Sequence, residues 1–204
     1  MTTTGNKTMK SIRMLVALPV IAALSACISF GDDPPESLFD LTPQVMRPAG
    51  SGSSGLIEQA IGVSEVDAPK KLAVQRVPVQ IDAANVAYLQ DALWVERPTR
   101  LFTTLLAETL RARTDRLVVD TGNAQVLPDT KLTGTLREMG YDVATSSVIV
   151  RFDAMLTTGE NVVRTRRFES RISGVAPQAA AVGPALNQAA NEVAIGVADW
   201  AGGA

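Results

Sequence analysis

Residues 131–172, KLTGTLREMGYDVATSSVIVRFDAMLTTGENVVRTRRFESRI, decide the fold. Val148, Val150, Phe152, Ala154 and Leu156 fall on alternate positions, with Arg151 and Asp153 between them. A period of two sends successive side chains to opposite faces, so 147–157 reads as a strand with one buried and one solvated face. Residues 131–143 form a long strand able to pair with it. Thr158-Gly159-Glu160-Asn161 turns the chain into a further strand, from Val162 to about Ile172. Three strands joined by short turns form an antiparallel meander.

Helical patterns lie on either side of it. Arg97-Pro98 opens a helix, because proline suits the first helical position and pushes the preceding residue out of the α region. Leu101, Phe102, Leu105, Leu106 and Leu110 recur at helical spacing, and Arg111 and Arg113 complement the dipole at the far end. A last helix runs from about Pro177 to Trp200, with Leu186, Ala189, Ala190, Val193, Val197 and Trp200 as its buried stripe and Gly183-Pro184 in its first turns. Shorter extended segments precede and separate these: Leu38 to Leu41, stopping at Thr42-Pro43; Leu72 to Val77, ended by Pro78; and Leu117 to Val119, closed by Asp120-Thr121-Gly122-Asn123. Val86 to Leu89 and Ala92 to Val95 read as two arms of a hairpin around Gln90-Asp91. Residues 43–70, with RPAGSGSSG at 47–55, read as a flexible loop. Gly50, Gly52 and Gly55 formally spell a dinucleotide-binding G-x-G-x-x-G, but no buried strand precedes them and no βαβ unit follows. The fold class is α+β: a mostly antiparallel sheet with two helices packed on one face, a two-layer sandwich.

Composition narrows the chemistry. The 204 residues, 46% of them hydrophobic, suffice for one domain with a substantial core. The net charge of −2 argues against nucleic acid as a partner. There is no histidine, which removes the commonest general base and metal ligand. A single cysteine allows neither an internal disulfide nor a thiolate zinc site, so no metal site is expected. No G-x-S-x-G elbow occurs, and none of Lys70, Lys71 or Lys131 lies three residues after a serine. These patterns yield no catalytic residues, and the expectation is a protein that is not an enzyme.

The lone cysteine has a context. Lys7, Lys10 and Arg13 precede an apolar run, Met14 to Leu24, which at about 1.5 Å per residue is too short to span a bilayer as a helix. The run ends in Leu24-Ser25-Ala26-Cys27, which resembles the bacterial lipobox. That resemblance implies a signal peptide over 1–26, cleavage between Ala26 and Cys27, and a covalent diacylglyceryl group with a further N-acyl chain (palmitate or a relative) on Cys27. No dissociable cofactor is implied. Met9, followed by Lys10, would also serve as a start. Removing Lys7, Lys10 and Arg13 leaves 16 basic against 21 acidic residues, a net charge of −5. Each buried CH₂ adds about 0.8 kcal/mol, so two or three acyl chains hold firmly. Residues 27–37, polar and proline-containing, then form a tether of at most ~35 Å ahead of a single domain over 38–204. Within the tether Asp32-Asp33 reads as solvated charge. Ile28, in place of aspartate after the cysteine, favours the periplasmic face of the outer membrane over the inner membrane by analogy with enterobacterial sorting.

The lipobox, Phe39 in the first strand where a tyrosine is usual, Tyr88, Trp94-Val95-Glu96-Arg97-Pro98 leading into a leucine-rich helix, Arg166-Arg167-Phe168 and the closing Val197-Ala198-Asp199-Trp200 together resemble the ABC-type transport auxiliary lipoproteins, the PqiC-like group. The resemblance spans about 37–200. It implies an accessory role beside an ABC permease and an MCE-domain protein that move lipid between envelope membranes, acting by docking; homo-oligomerisation, as a ring around a conduit, is a separate hypothesis. Two other roles suit a small envelope lipoprotein: regulation of a peptidoglycan synthase, and carriage of lipid in an internal cavity. The tether is short for crossing the cell wall, and abundant alanine with 4% aromatic residues favours a compact core. Candidate partner contacts are Trp94, a residue type enriched in binding hot spots but, beside Val95 and just before the helix, read first as a core or core-edge residue, and Arg164, Arg166 and Arg167. Alternation forbids these arginines, with Arg171, from forming one patch without a bulge, and Glu169 and Asp153 stand ready as counter-charges.

Overall fold

The computed structural model describes residues 1–3, 37–121, 128–160 and 162–203. Every helix and strand among them belongs to the unit Pro35–Ala204. Its spine is the expected meander: β5 (Thr130–Asp142), β6 (Ser147–Thr158) and β7 (Val162–Ser173), antiparallel throughout. β6 and β7 run in unbroken register from Ser147↔Ser173 to Thr158↔Val162. Between β5 and β6 the register shifts once, where Leu136 faces Phe152 and Glu138 faces Arg151, so Arg137 is the extra residue. The bulge moves the inward positions of β5 from Leu132 and Leu136 to Met139 and Tyr141, all buried.

The opposite side of β5 is shared. Near its start it pairs in parallel with β1 (Ile61–Val63), which also pairs in parallel with β4 (Val118–Asp120). At its end it pairs in parallel with β2 (Arg76–Gln80), and β2 pairs antiparallel with β3 (Val86–Leu93). The seven-stranded sheet is therefore mostly antiparallel, with parallel joints where β1 and β2 meet β5. Helices α1 (Pro98–Arg113) and α2 (Ala179–Gly202) cover one face of it. α1 buries Leu101, Phe102, Leu105, Leu106 and Leu110, and the Phe102 ring meets Phe152 of β6 edge-on at 5.2 Å. The alanine-rich side of α2 lies against α1 and the meander, while Trp200, expected in the buried stripe, is only half-buried.

Three expectations are corrected. The span 43–70, read as a flexible loop, contains β1, whose residues are all buried between β4 and β5. The earlier part of that span is tied to the helices: the Gln44 amide donates to Asn191 Oδ1 at 2.7 Å, and Arg47 donates to the Arg111 and Thr114 carbonyls that close α1. Second, Gln90-Asp91 is not a hairpin turn. Val86 to Leu89 and Ala92-Leu93 belong to the single strand β3, which folds back on β2 instead, and Asp91 adopts φ +53° inside an irregular stretch of the pairing. Third, Pro78 lies within β2 instead of ending a strand before it. It is tolerated because β2 contributes only Val79 and Gln80 to the pairing with β5. Leu38–Leu41 is reduced to one bridge, Phe39 to Trp94.

Candidate functional site

The sheet face away from the helices carries a lattice of paired charges. Asp153 accepts from Arg167 Nε at 2.5 Å and Nη2 at 2.8 Å, and from Arg137 Nε at 2.9 Å. The hydrogen bonds from Arg167 and then Arg137 outweigh partial burial and hold the Asp153 pKa down to about 2. Next along, Arg151 donates to Glu169 at 2.5 Å, and Arg171 lies 3.7 Å from the same carboxylate. These contacts hold Glu169 below the usual carboxylate range. Lys71 reaches Glu138 at 2.7 Å, a contact that exists because the β5 bulge turns Glu138 outward beside Arg137. A groove of about 510 Å³ crosses this face between Asp67, Thr133, Asp153, Thr165 and Arg167. Arg137 was not singled out from sequence; it reaches Asp153 diagonally, two residues beyond Thr135, which faces that carboxylate across the strands.

The alternation expected for β7 holds. Arg167, Glu169 and Arg171 point to this outer face, while Arg164 and Arg166 lie with buried Phe168 on the helix side. There the Arg164 guanidinium sits 5.2 Å over the Trp200 ring and that of Arg166 5.1 Å over Phe168, whose ring meets Trp200 edge-on at 5.7 Å. Two cations and two aromatic rings thus interleave along the margin of β7 and the end of α2. Neither Arg164 nor Arg166 has a carboxylate partner among the described residues, and Arg164 Nη2 is shielded from solvent without an acceptor. Ser170, two residues further, donates to Glu192 of α2 at 2.6 Å and lowers its pKa.

Trp94 is not at the surface. It is 1% exposed, with its ring edge-on to Phe39 at 5.5 Å, so it packs the domain and offers no ring to a partner. Of its two readings, the core one holds and the contact one is corrected. Phe39 occupies a slot that only glycine leaves open, since a Cβ on Gly183 would lie 2.9 Å from its ring. Ala26 and Cys27 lie outside the described residues. No group of three or more His, Cys, Asp or Glu placed to hold a metal ion occurs among the described residues. No helix among them is long and apolar enough to cross a membrane.

The family model described as the ABC-type transport auxiliary lipoprotein component matches residues 39–198. The chain belongs to this family. The match begins at Phe39, where the chain first packs, and ends within α2, so it covers every strand and almost both helices. No curated protein matches the chain. A crystal structure of a Xanthomonas campestris protein of the DUF330 family is similar at TM-score 0.65 and 18% identity, over 81% of this chain and 95% of that one. A second crystal structure, of a protein of unknown function, is similar at TM-score 0.61 and 15% identity, over 73% and 95%. At such identities these likenesses concern the fold alone. The PelC dodecamer of Paraburkholderia phytofirmans is more distant, at TM-score 0.39 and 11% identity over 71% and 92%, too loose to bear on assembly.

Proposed function

We propose that this auxiliary lipoprotein is anchored through acylated Cys27 to the periplasmic face of the outer membrane. From there it serves an intermembrane lipid transporter by docking an MCE-domain protein and its ABC permease. The observation that carries the reading is the family match over 39–198 in a chain whose Leu24-Ser25-Ala26-Cys27 has lipobox form. The chemistry is in keeping: the charged side chains of the outer face are spent on one another, in pairs suited to a stiff surface rather than to proton transfer. A short tether ahead of a domain that packs from Phe39 onward keeps that surface close to the bilayer.

The test is affinity purification of the lipidated protein from cross-linked native membranes in mild detergent, followed by mass spectrometry. Recovery of an MCE-domain protein with its permease is the expected result. Recovery of a peptidoglycan synthase without a transporter would overturn it. Lipid co-purifying within the domain itself would replace docking with carriage.

A further inference from the structure

We propose that the free edge of β7, with Arg164 and Arg166 on its helix side, receives an extended acidic segment of a partner protein, added to the sheet as one more strand. The inference rests on the docking reading for the existence of a partner, and names the chemistry that partner must present.

The edge itself is the first argument. Among the described residues β7 pairs only with β6, leaving the outward main-chain donors and acceptors of a twelve-residue strand unmatched. It carries none of the blunting devices of proline, bulge or short length. Charge is the second. β7 holds four arginines and one glutamate in a mature chain with an excess of acidic residues. Two of the four, Arg167 and Arg171, are committed to carboxylates of the outer face. Arg164 and Arg166 are held over Trp200 and Phe168, which fixes their planes while leaving guanidinium N–H groups without carboxylate partners.

Spacing gives the pattern of the occupant. Arg164 and Arg166 are two residues apart on one face, about 7 Å along the strand, and exposed Val162 precedes them on that face. A matching strand carries two acidic residues at alternate positions and an apolar one two positions beyond. Main-chain pairing would supply affinity and the two guanidinium–carboxylate contacts the selection. A second copy fits less well. Of the two opposite edge strands, β3 carries the one carboxylate Asp91, inside its irregular stretch, and β4 is only three residues long, while two β7 edges repel each other. A lipid phosphate could meet Arg166 but could not use the unmatched main chain.

The probe is a short fluorescent peptide, Thr-Val-Thr-Glu-Thr-Glu-Thr, whose valine and two glutamates share one face, titrated by anisotropy onto the full lipoprotein in detergent micelles. Amide hydrogen exchange is followed on the same samples. We expect saturable binding, weakened about tenfold by Arg166→Glu and about a hundredfold by Arg164→Glu with Arg166→Glu. Exchange should slow within Val162–Ser173 and nowhere else in the sheet. Arg166 is exposed, so Arg166→Glu should keep the wild-type melting profile; Arg164→Gln with Arg166→Gln, which removes charge without reversing it, should fall between. Equal binding by wild type and variants, binding without protection of β7, or binding to phosphatidylglycerol vesicles in place of the peptide would each overturn the proposal. In the native-membrane purification, undiminished recovery of the transporter with Arg166→Glu removes the β7 assignment and leaves docking standing. Peptide binding at β7 without any transporter recovered removes docking and leaves β7.

Discussion

Replacing Phe39 by alanine tests where the chain enters the domain. The main chain at Phe39 is held on both sides: its amide donates to the Leu93 carbonyl at 2.7 Å, and its carbonyl accepts from the Val95 amide at 2.9 Å. The substitution spares these bonds and removes only the ring. A fully buried phenylalanine costs about 3–5 kcal/mol when truncated, and Phe39 is partly buried, so roughly 2 kcal/mol follows from transfer and cavity. The edge-on pair with Trp94 adds about 0.5–1.5 kcal/mol. A total of ~2.5–3.5 kcal/mol lowers the melting temperature of a domain this size by roughly 5–14 °C. Thermal melts followed by circular dichroism give the shift. Tryptophan emission gives the cause, because the Trp94 ring gains solvent and its emission moves to the red. Leu38→Ala, at a side chain 51% exposed, is the control and should change stability by less than about 0.5 kcal/mol. Gly183→Ala is costly alone, since its Cβ would lie 2.9 Å from the Phe39 ring, but should be tolerated once that ring is gone. A melt within one degree of wild type, with unshifted emission, would refute the placement of Phe39 between Trp94 and Gly183.

Gly140→Ala would bring a Cβ to 2.3 Å from the Pro78 carbonyl, forcing β2 and β5 apart. A loss of about 1–3 kcal/mol or more, read by the same melt, is expected. Asn191 is fully buried; it donates to the Thr42 carbonyl at 3.0 Å and accepts from the Gln44 amide at 2.7 Å. Asn191→Ala should cost about 1–3 kcal/mol and speed proteolysis near residue 44, which mass spectrometry of the first fragments would show. Asp153 has its pKa lowered from 3.8 to about 2 in the folded state. Its share of stability is therefore complete above the unfolded value and lost as pH falls from about 4 toward 2. Screening by solvent around half-exposed Arg137 and Arg167 reduces that share to roughly 1 kcal/mol. The stability gap between wild type and Asp153→Asn should accordingly close as pH approaches 2 in a series of melts. Cys27→Ser should shift the protein from the membrane to the soluble fraction and abolish the acyl mass increment.

The meander was legible because a long strand with one wet face writes its period into the sequence, and Val148 to Leu156 carry it for nine residues. Pro98 and the leucines after it mark α1 equally directly. β1 was not legible. Ile61-Gly62-Val63 is too short to show a period, and it is a strand because β4 and β5 flank it, a property of the assembled sheet. The turn chemistry of Gln90-Asp91 misled for a related reason. A residue with positive φ serves a turn or an irregular strand alike, and the choice lies with β2, which pairs on both sides of it. At the site, alternation separated Arg164 and Arg166 from Arg167 in advance. The salt bridge of Lys71 to Glu138 required the β5 bulge, which no local signal announces, and Trp94 was decided by Phe39 and Gly183, distant in sequence on opposite sides.

The point where the chain joins the sheet and the free β7 edge lie on opposite margins. The chain arrives at Phe39 beside the end of β3, and the sheet then runs through β2, β5 and β6 to β7. Four interstrand intervals at about 4.8 Å separate the two margins by ~19 Å. The segment from Leu41 to Arg47 is bound to α2 and the end of α1, and among the described residues nothing but β6 pairs with β7. The paired charges of the outer face stiffen the strands between: Asp153 ties β6 to both β5 and β7 through Arg137 and Arg167. Force applied by a partner at β7 is thereby shared across the meander instead of peeling its last strand. Loss of the Asp153 clamp should then weaken retention of a β7-bound peptide under load more than it weakens equilibrium binding, a separation that single-molecule pulling on the Asp153→Asn lipoprotein would measure.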